Sequence, residues 1–184
     1  LMEQLAEGKK SGLTFAAEAG TQRLRNVINK GLTEEEILGG CSLAFQGGWD
    51  RVKLYFMLGL PTETMEDVDG IARFGYRILD TWNQVPKEQR SRDVQITIST
   101  SFFVPKASSE EYLQKQQHLS EQIRNRKIRY NCHDSFISTL EGLMARGDRR
   151  VSSLVYTAWK KGCRFDSWSD QFNEQAWREA IEEC

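Results

Sequence analysis

The chain has little of what metal, disulfide and membrane proteins are usually built from. Its 184 residues include only two histidines, His118 and His133, and their separation matches no zinc-ligand spacing. His133 follows Cys132 directly, and adjacent side chains do not converge on one ion, so no zinc site is expected. The four cysteines, Cys41, Cys132, Cys163 and Cys184, show no regular spacing and make no disulfide framework. They suit a reducing cytoplasm, and Cys41 and Cys163 fall in helical patterns as small buried hydrophobes. No run of about 18 apolar residues exists, so no membrane span is expected. The opening Leu1–Leu5 lacks the basic-then-apolar order of a signal peptide. There is no phosphate-binding Gly-x-x-x-x-Gly-Lys loop and no Gly-x-Ser-x-Gly elbow, which removes the common nucleotide-hydrolase and serine-hydrolase readings. A net charge of −1 gives no general pull toward nucleic acid, and no aromatic-interleaved basic stripe for single strands is read.

What is present is an alternation of strands and helices. Leu13–Ala17 is a short apolar strand with Glu18 at its end, and a small-residue turn leads into a helix over Thr21–Lys30 closed by Gly31. Ligands of α/β proteins bind at the carboxyl ends of strands, which puts Glu18 where chemistry is usually done. Thr33 with Glu36 forms a capping box for a helix reaching about Phe45, in which Gly39 and Gly40 suggest close packing. Val52–Leu58 is too apolar to alternate and predicts a strand buried on both faces. Gly59–Pro61 breaks it, Thr64-x-x-Asp67 opens the next helix, and Glu63 reads as a helix cap. Trp82–Arg92 is a polar loop, and Val94–Val104 is a third strand.

Leu1–Lys10 reads as the end of a helix. From Ser108 onward no strand is expected: Ser108 and Ser109 cap a helix to about Lys127, and His133–Ala145, Arg149–Lys161 and Glu174–Glu183 form three more. The domain boundary is therefore placed near Ala107, with residues 1–107 as α/β and 108–184 as a helical extension sealed by Trp159, Trp168 and Trp177. Repeated strand–helix–strand order predicts parallel βα units, with too few strands for a closed eight-stranded barrel.

Four segments carry a resemblance. The stretch Glu18–Gly31 (EAGTQRLRNVINKG) resembles the fourth strand and following helix of the radical S-adenosylmethionine (SAM) barrel. Lys53–Thr64 (KLYFMLGLPTET) resembles the fifth, with the turn of the methylthiotransferase-like branch, and Ile96–Lys106 resembles the sixth. The segment Leu140–Phe172 is similar to the tail of cobalamin-associated members, an iron–sulfur oxidoreductase group of unassigned substrate. The resemblance spans roughly residues 11–184. It implies a fold of α/β class: a half TIM-type barrel of βα units followed by a helical extension.

The resemblance also implies roles. Glu18 would accept hydrogen bonds from the ribose hydroxyls of SAM, a task suited to two carboxylate oxygens; capping the next helix is the alternative. Lys30 and Arg23 would hold the methionyl carboxylate, or Lys30 would merely complement a helix C-terminus. Gly59, Leu60 and Pro61 with Phe103, Val104 and Pro105 would flank adenine, the first three being otherwise a plain βα turn. Ala17 stands where relatives often carry proline, and the join Lys106–Ser108 is shorter than the Pro- and aromatic-rich loop of relatives, so missing residues are expected there.

The family's Cys-x3-Cys-x2-Cys loop, which holds a 4Fe–4S cluster, is absent, because scattered single cysteines cannot offer three thiolates from one loop. The chain is thus expected to be the C-terminal part of a longer enzyme, inactive by itself. The intact enzyme would take electrons from a reductant such as flavodoxin or ferredoxin and cleave SAM to a 5′-deoxyadenosyl radical, with an upstream cobalamin domain allowed by the branch. The uncovered edges of a half barrel predict either a disordered or removed other half, or self-association.

Arg146, Arg149 and Arg150 form a second candidate site for a phosphate-bearing substrate or RNA, with Asp148 as a cap. A network of these arginines with Asp134, Glu141, Asp166 or Asp170 is the structural alternative, and Arg124–Arg129 reads as one solvated basic helix. The competing function is a non-catalytic module that binds protein or RNA through Arg146–Arg150. A different phosphate-using βα-barrel enzyme is a third.

Overall fold

The computed structural model describes residues 12–103, 109–164, 166, 168 and 170–184. Val104, Pro105, the join at Lys106–Ser108 and the expected helix end at Leu1–Lys10 lie outside these residues. The chain divides into two compact units, Leu1–Ser135 and Phe136–Cys184.

The first unit contains β1 (Leu13–Glu18), α1 (Gln22–Val27), α2 (Glu34–Gln46), β2 (Arg51–Leu58), α3 (Met65–Gln84), β3 (Gln95–Phe102), α4 (Ser109–Gln122) and β4 (Ile128–Cys132). The strands form one sheet in the order β1–β2–β3–β4, all parallel. Each crossover steps one strand onward in the same direction, and right-handed crossovers then place the helices on one face. Burial follows from this. In β2, Val52, Leu54, Phe56 and Leu58 are buried, while Arg51, Lys53 and Tyr55 are exposed. The expectation of a strand buried on both faces is thus corrected: one face packs under helices and the other is open.

The covered face holds the core. Ile37, Cys41 and Phe45 of α2, Val68, Ile71, Phe74 and Ile78 of α3, and Tyr112 and Leu119 of α4 meet the inward residues of β2 and β3. The expected capping box forms at Thr33, and the helix opener at Thr64 proves to be a second one. The Glu36 amide donates to Thr33 Oγ1 (3.2 Å) and the Thr33 amide to Glu36 Oε2 (2.8 Å). Asp67 likewise takes the Thr64 amide at 2.8 Å. Gly40 lies 3.6 Å from Phe15 by its would-be Cβ, while Gly39 faces nothing within 4 Å, so close packing does not explain Gly39.

β4 corrects the expectation of no strand after Ser108. α4 stops at Gln122, and an Asn125 turn, whose Oδ1 takes the Lys127 amide at 3.0 Å, redirects the chain. Ile128, Tyr130 and Cys132 then pair with Ile96, Ile98 and Thr100. Arg124–Arg129 is therefore a turn and a strand start, and the α/β part continues past Ala107 to β4.

The second unit contains α5 (Ser135–Arg146), α6 (Val151–Lys160) and α7 (Glu174–Glu183), apart from the first residue of α5. Its core is Leu140, Leu154, Ala158, Cys163, Ala176, Trp177 and Ala180. Of the three tryptophans expected to seal this tail, Trp177 is buried and Trp159 and Trp168 are exposed. Among the described residues no helix is long and apolar enough to cross a membrane.

Candidate functional site

The carboxyl ends of β1, β2 and β3 bring most of the described candidate residues of the first unit together. The end of β1 is irregular. Its register with β2 shifts between Ala16 and Glu18, and Glu18 has φ 63°. The Ala19 amide donates to Ala17 O at 2.8 Å, closing a three-residue γ-turn centred on Glu18. Such a turn with positive φ at a non-glycine residue is strained, and strain of this kind collects at binding sites. Its result is a carboxylate held at the strand's end, 25% exposed, with Lys30 Nζ 3.3 Å away and 33% exposed.

The surroundings over-determine this turn. Arg25, fully buried, donates to Ala19 O at 2.7 Å and to Gln22 Oε1 at 3.2 Å, and reaches Glu34 at 3.4 Å. Its guanidinium lies 5.4 Å from the centre of the Phe74 ring. A Cβ on Gly20 would stand 2.0 Å from Asp67 O, and one on Gly70 2.5 Å from Gly20 O. Glycine at both positions lets the turn lie directly on the first turns of α3.

Asp67 ties the two together. Its carboxylate accepts hydrogen bonds from Thr21 Oγ1, from Arg23, and from the amide and hydroxyl of Thr64, both at 2.8 Å. Burial opposes its ionisation, but the bonds from Thr21, Arg23 and Thr64 outweigh that and hold its carboxyl down at about 2. Arg23 also donates to Thr62 O at 2.9 Å. The structure thus places Arg23 in a bracing network, its side chain half exposed, and Lys30 beside Glu18.

The turn after β2 is set by Gly59, with φ 83°, and by Thr62, with φ 64°. Glu63 folds back to accept the Gly59 amide at 2.9 Å and the Lys115 ammonium at 2.7 Å. It braces this turn, and Thr64 and Asp67 cap α3 instead. Lys115 also meets Glu111 at 2.6 Å. Leu60 is buried with Ala19 and Leu24, and Ile28, Met57 and Phe103 pack against them. Pro61 is exposed. A carboxylate, an ammonium and the partly exposed Phe103 therefore share one end of the sheet, with Leu60 buried as backing. This set can take a diol or an amino-acid zwitterion beside a flat ring.

Arg146, Arg149 and Arg150 belong to the second unit and are exposed. Arg150 pairs with Asp148 at 2.9 Å, and among the described residues the expected pairs with Glu141, Asp166 or Asp170 do not form. Asp148 accepts the Arg150 amide at 2.9 Å, one residue before α6 begins. Cys41 and Cys163 are buried, as expected; burial pushes the Cys41 thiol up to about 12. Sequence reasoning missed Arg25, Lys115 and the bracing role of Asp67. Only Asp67 carried a signal, as the third residue of a helix opener.

The chain has an archaeal relative. It is 30% identical over 191 positions to the uncharacterized protein MJ0966 of Methanocaldococcus jannaschii. The match takes in 94% of this chain and 40% of that protein, so the chain spans well under half of the relative's length. No protein-family model matches the chain, and no solved structure matches it.

Proposed function

We propose that this chain is the SAM-holding C-terminal part of a radical SAM enzyme whose substrate is unassigned. The observation that carries the reading is the strained γ-turn presenting Glu18 beside Lys30 at the end of a parallel strand. Glu18 accepts the two ribose hydroxyls, Lys30 binds the methionyl carboxylate, and the partly exposed Phe103, backed by buried Leu60, offers an apolar seat for adenine. Arg23 and Asp67 hold the turn in place. When bound, SAM supplies a sulfonium centre that one-electron reduction cleaves. The residues of this chain position it and exclude water on the Leu60–Phe103 side.

The half-barrel form of the fold belongs to the same proposal. It is supported by the sequential parallel order, by helices on one face, and by an open face carrying Lys53, Tyr55, Thr97, Ser99, Arg129 and Asn131. Barrel interiors alternate with the helix-covered face in this manner. The cysteines do not fit a cluster: Cys41 and Cys163 are buried in separate cores, and no group of three metal-ligating side chains assembles among the described residues. Under this reading the cluster ligands and the reductant come from outside this chain, and the proposal does not depend on cobalamin.

The test is equilibrium binding of SAM to the longer protein, extended upstream of Leu1. Two charge-assisted hydrogen bonds at about 1.5–3 kcal/mol each amount to about 3 kcal/mol or more, so Glu18→Ala is expected to weaken binding at least about a hundredfold. Unchanged affinity in Glu18→Ala would overturn the assignment.

A further inference from the structure

The second unit separates its charges along the sequence. Residues 146–164 contain six cations and a single carboxylate, Asp148, whereas residues 166–184 contain six carboxylates and a single cation, Arg178. The basic segment is built on α6. Leu154 and Ala158 turn into the core, and the opposite face shows Ser152, Tyr156, Trp159 and Lys160 to solvent.

That face has an ordered aromatic centre. Tyr156 and Trp159 are 55% and 50% exposed, with ring centroids 5.9 Å apart and planes within 14° of parallel. Lys160 Nζ lies 4.5 Å from the Tyr156 ring centre, and the Arg164 guanidinium lies 4.6 Å from that of Trp159. Arg149 stands one turn before Ser152, whose amide and hydroxyl donate to Arg149 O at 3.2 and 2.6 Å. Lys160 and Arg164 therefore lie against the two rings, and Arg149 stands one turn earlier in the chain. In sequence, Trp159 reads as core; only the burial of Leu154 and Ala158 on the other face turns it outward.

We propose that this face binds single-stranded RNA. Flat exposed rings flanked by arginine and lysine match bases that stack and phosphates that pair, while an acidic peptide would use the cations and leave the rings idle. At 1.5 Å per residue, Arg149 to Lys160 covers about 16 Å, the length of about five stacked nucleotides at ~3.4 Å each. The Ser152 and Ser153 hydroxyls lie on the exposed side, where they meet 2′-hydroxyls, and this favours RNA over DNA. The inference stands independently of the SAM reading.

The experiment is a fluorescence-anisotropy titration of the full chain with a labelled 12-nucleotide single-stranded RNA of mixed sequence. The same sequence as DNA, an RNA duplex and an acidic peptide are run in parallel at several salt concentrations. Single-stranded RNA is expected to bind best. Tyr156→Ala with Trp159→Ala is expected to lose at least about tenfold in affinity, and Tyr156→Phe with Trp159→Phe to stay within about threefold of the parent. Arg149→Gln with Arg150→Gln is expected to flatten the slope of log K against log salt by about 1.4. Absence of RNA binding, an alanine pair that binds as well as the parent, or equal binding of DNA, duplex or peptide would each overturn the proposal.

Discussion

Replacing Asp67 with asparagine tests whether the β1–α1 turn is held from α3. Asp67 is 2% exposed and gathers Thr21, Arg23 and Thr64 on one carboxylate. Its folded-state value of about 2, against an ordinary value of 3.8, corresponds to about 2 kcal/mol of stabilisation of the folded chain at neutral pH. Asparagine keeps the size but turns an –NH2 toward donors that need an acceptor. We expect Asp67→Asn to lose about 2 kcal/mol at pH 7 in urea unfolding followed by circular dichroism. Because the folded value lies below the unfolded one, the contribution is complete above about pH 5 and is lost as pH falls through about 2. About half remains at pH 3, so the gap between parent and variant should narrow to about 1 kcal/mol there. A gap under about 0.5 kcal/mol at pH 7, or one that does not change with pH, would refute the reasoning.

Two glycines give opposite outcomes in the same unfolding assay. Gly39→Ala fills open space on the exposed face of α2 and should stabilise by about 0.5–1 kcal/mol, whereas Gly70→Ala drives a Cβ to 2.5 Å from Gly20 O and should cost about 1–3 kcal/mol or more. Burial raises the Cys41 thiol to about 12 and also lifts that of Cys163. A thiol reagent at pH 8 should therefore label exposed Cys184 promptly, and Cys41 and Cys163 only after unfolding, with mass spectrometry as the check.

The local parts of this fold could be read from the sequence because their signals are local. The capping boxes at Thr33–Glu36 and Thr64–Asp67, and the strands at Leu13, Val52 and Val94–Gln95, needed only neighbouring residues. β4 was hidden because Ile128-Arg129-Tyr130-Asn131-Cys132 is short and sits behind a run of basic residues. Its partner, Ile96, lies 32 positions earlier. The open face of β2 was misread because Tyr55 and Met57 look like core residues. Which face is covered depends on the direction of three crossovers, which no single segment encodes. At the site, Glu18 was legible from its place after a strand and Lys30 from the motif. Arg25 and Lys115 were not, because each is a cation buried by tertiary contacts to Ala19 O or Glu63.

The most direct measurement uses the protein extended upstream of Leu1, reconstituted anaerobically with iron and sulfide, reduced, and supplied with SAM. The account predicts formation of 5′-deoxyadenosine that is lost in Glu18→Ala. A protein that forms no cluster and no 5′-deoxyadenosine, or one whose Glu18→Ala variant is as active as the parent, would contradict it.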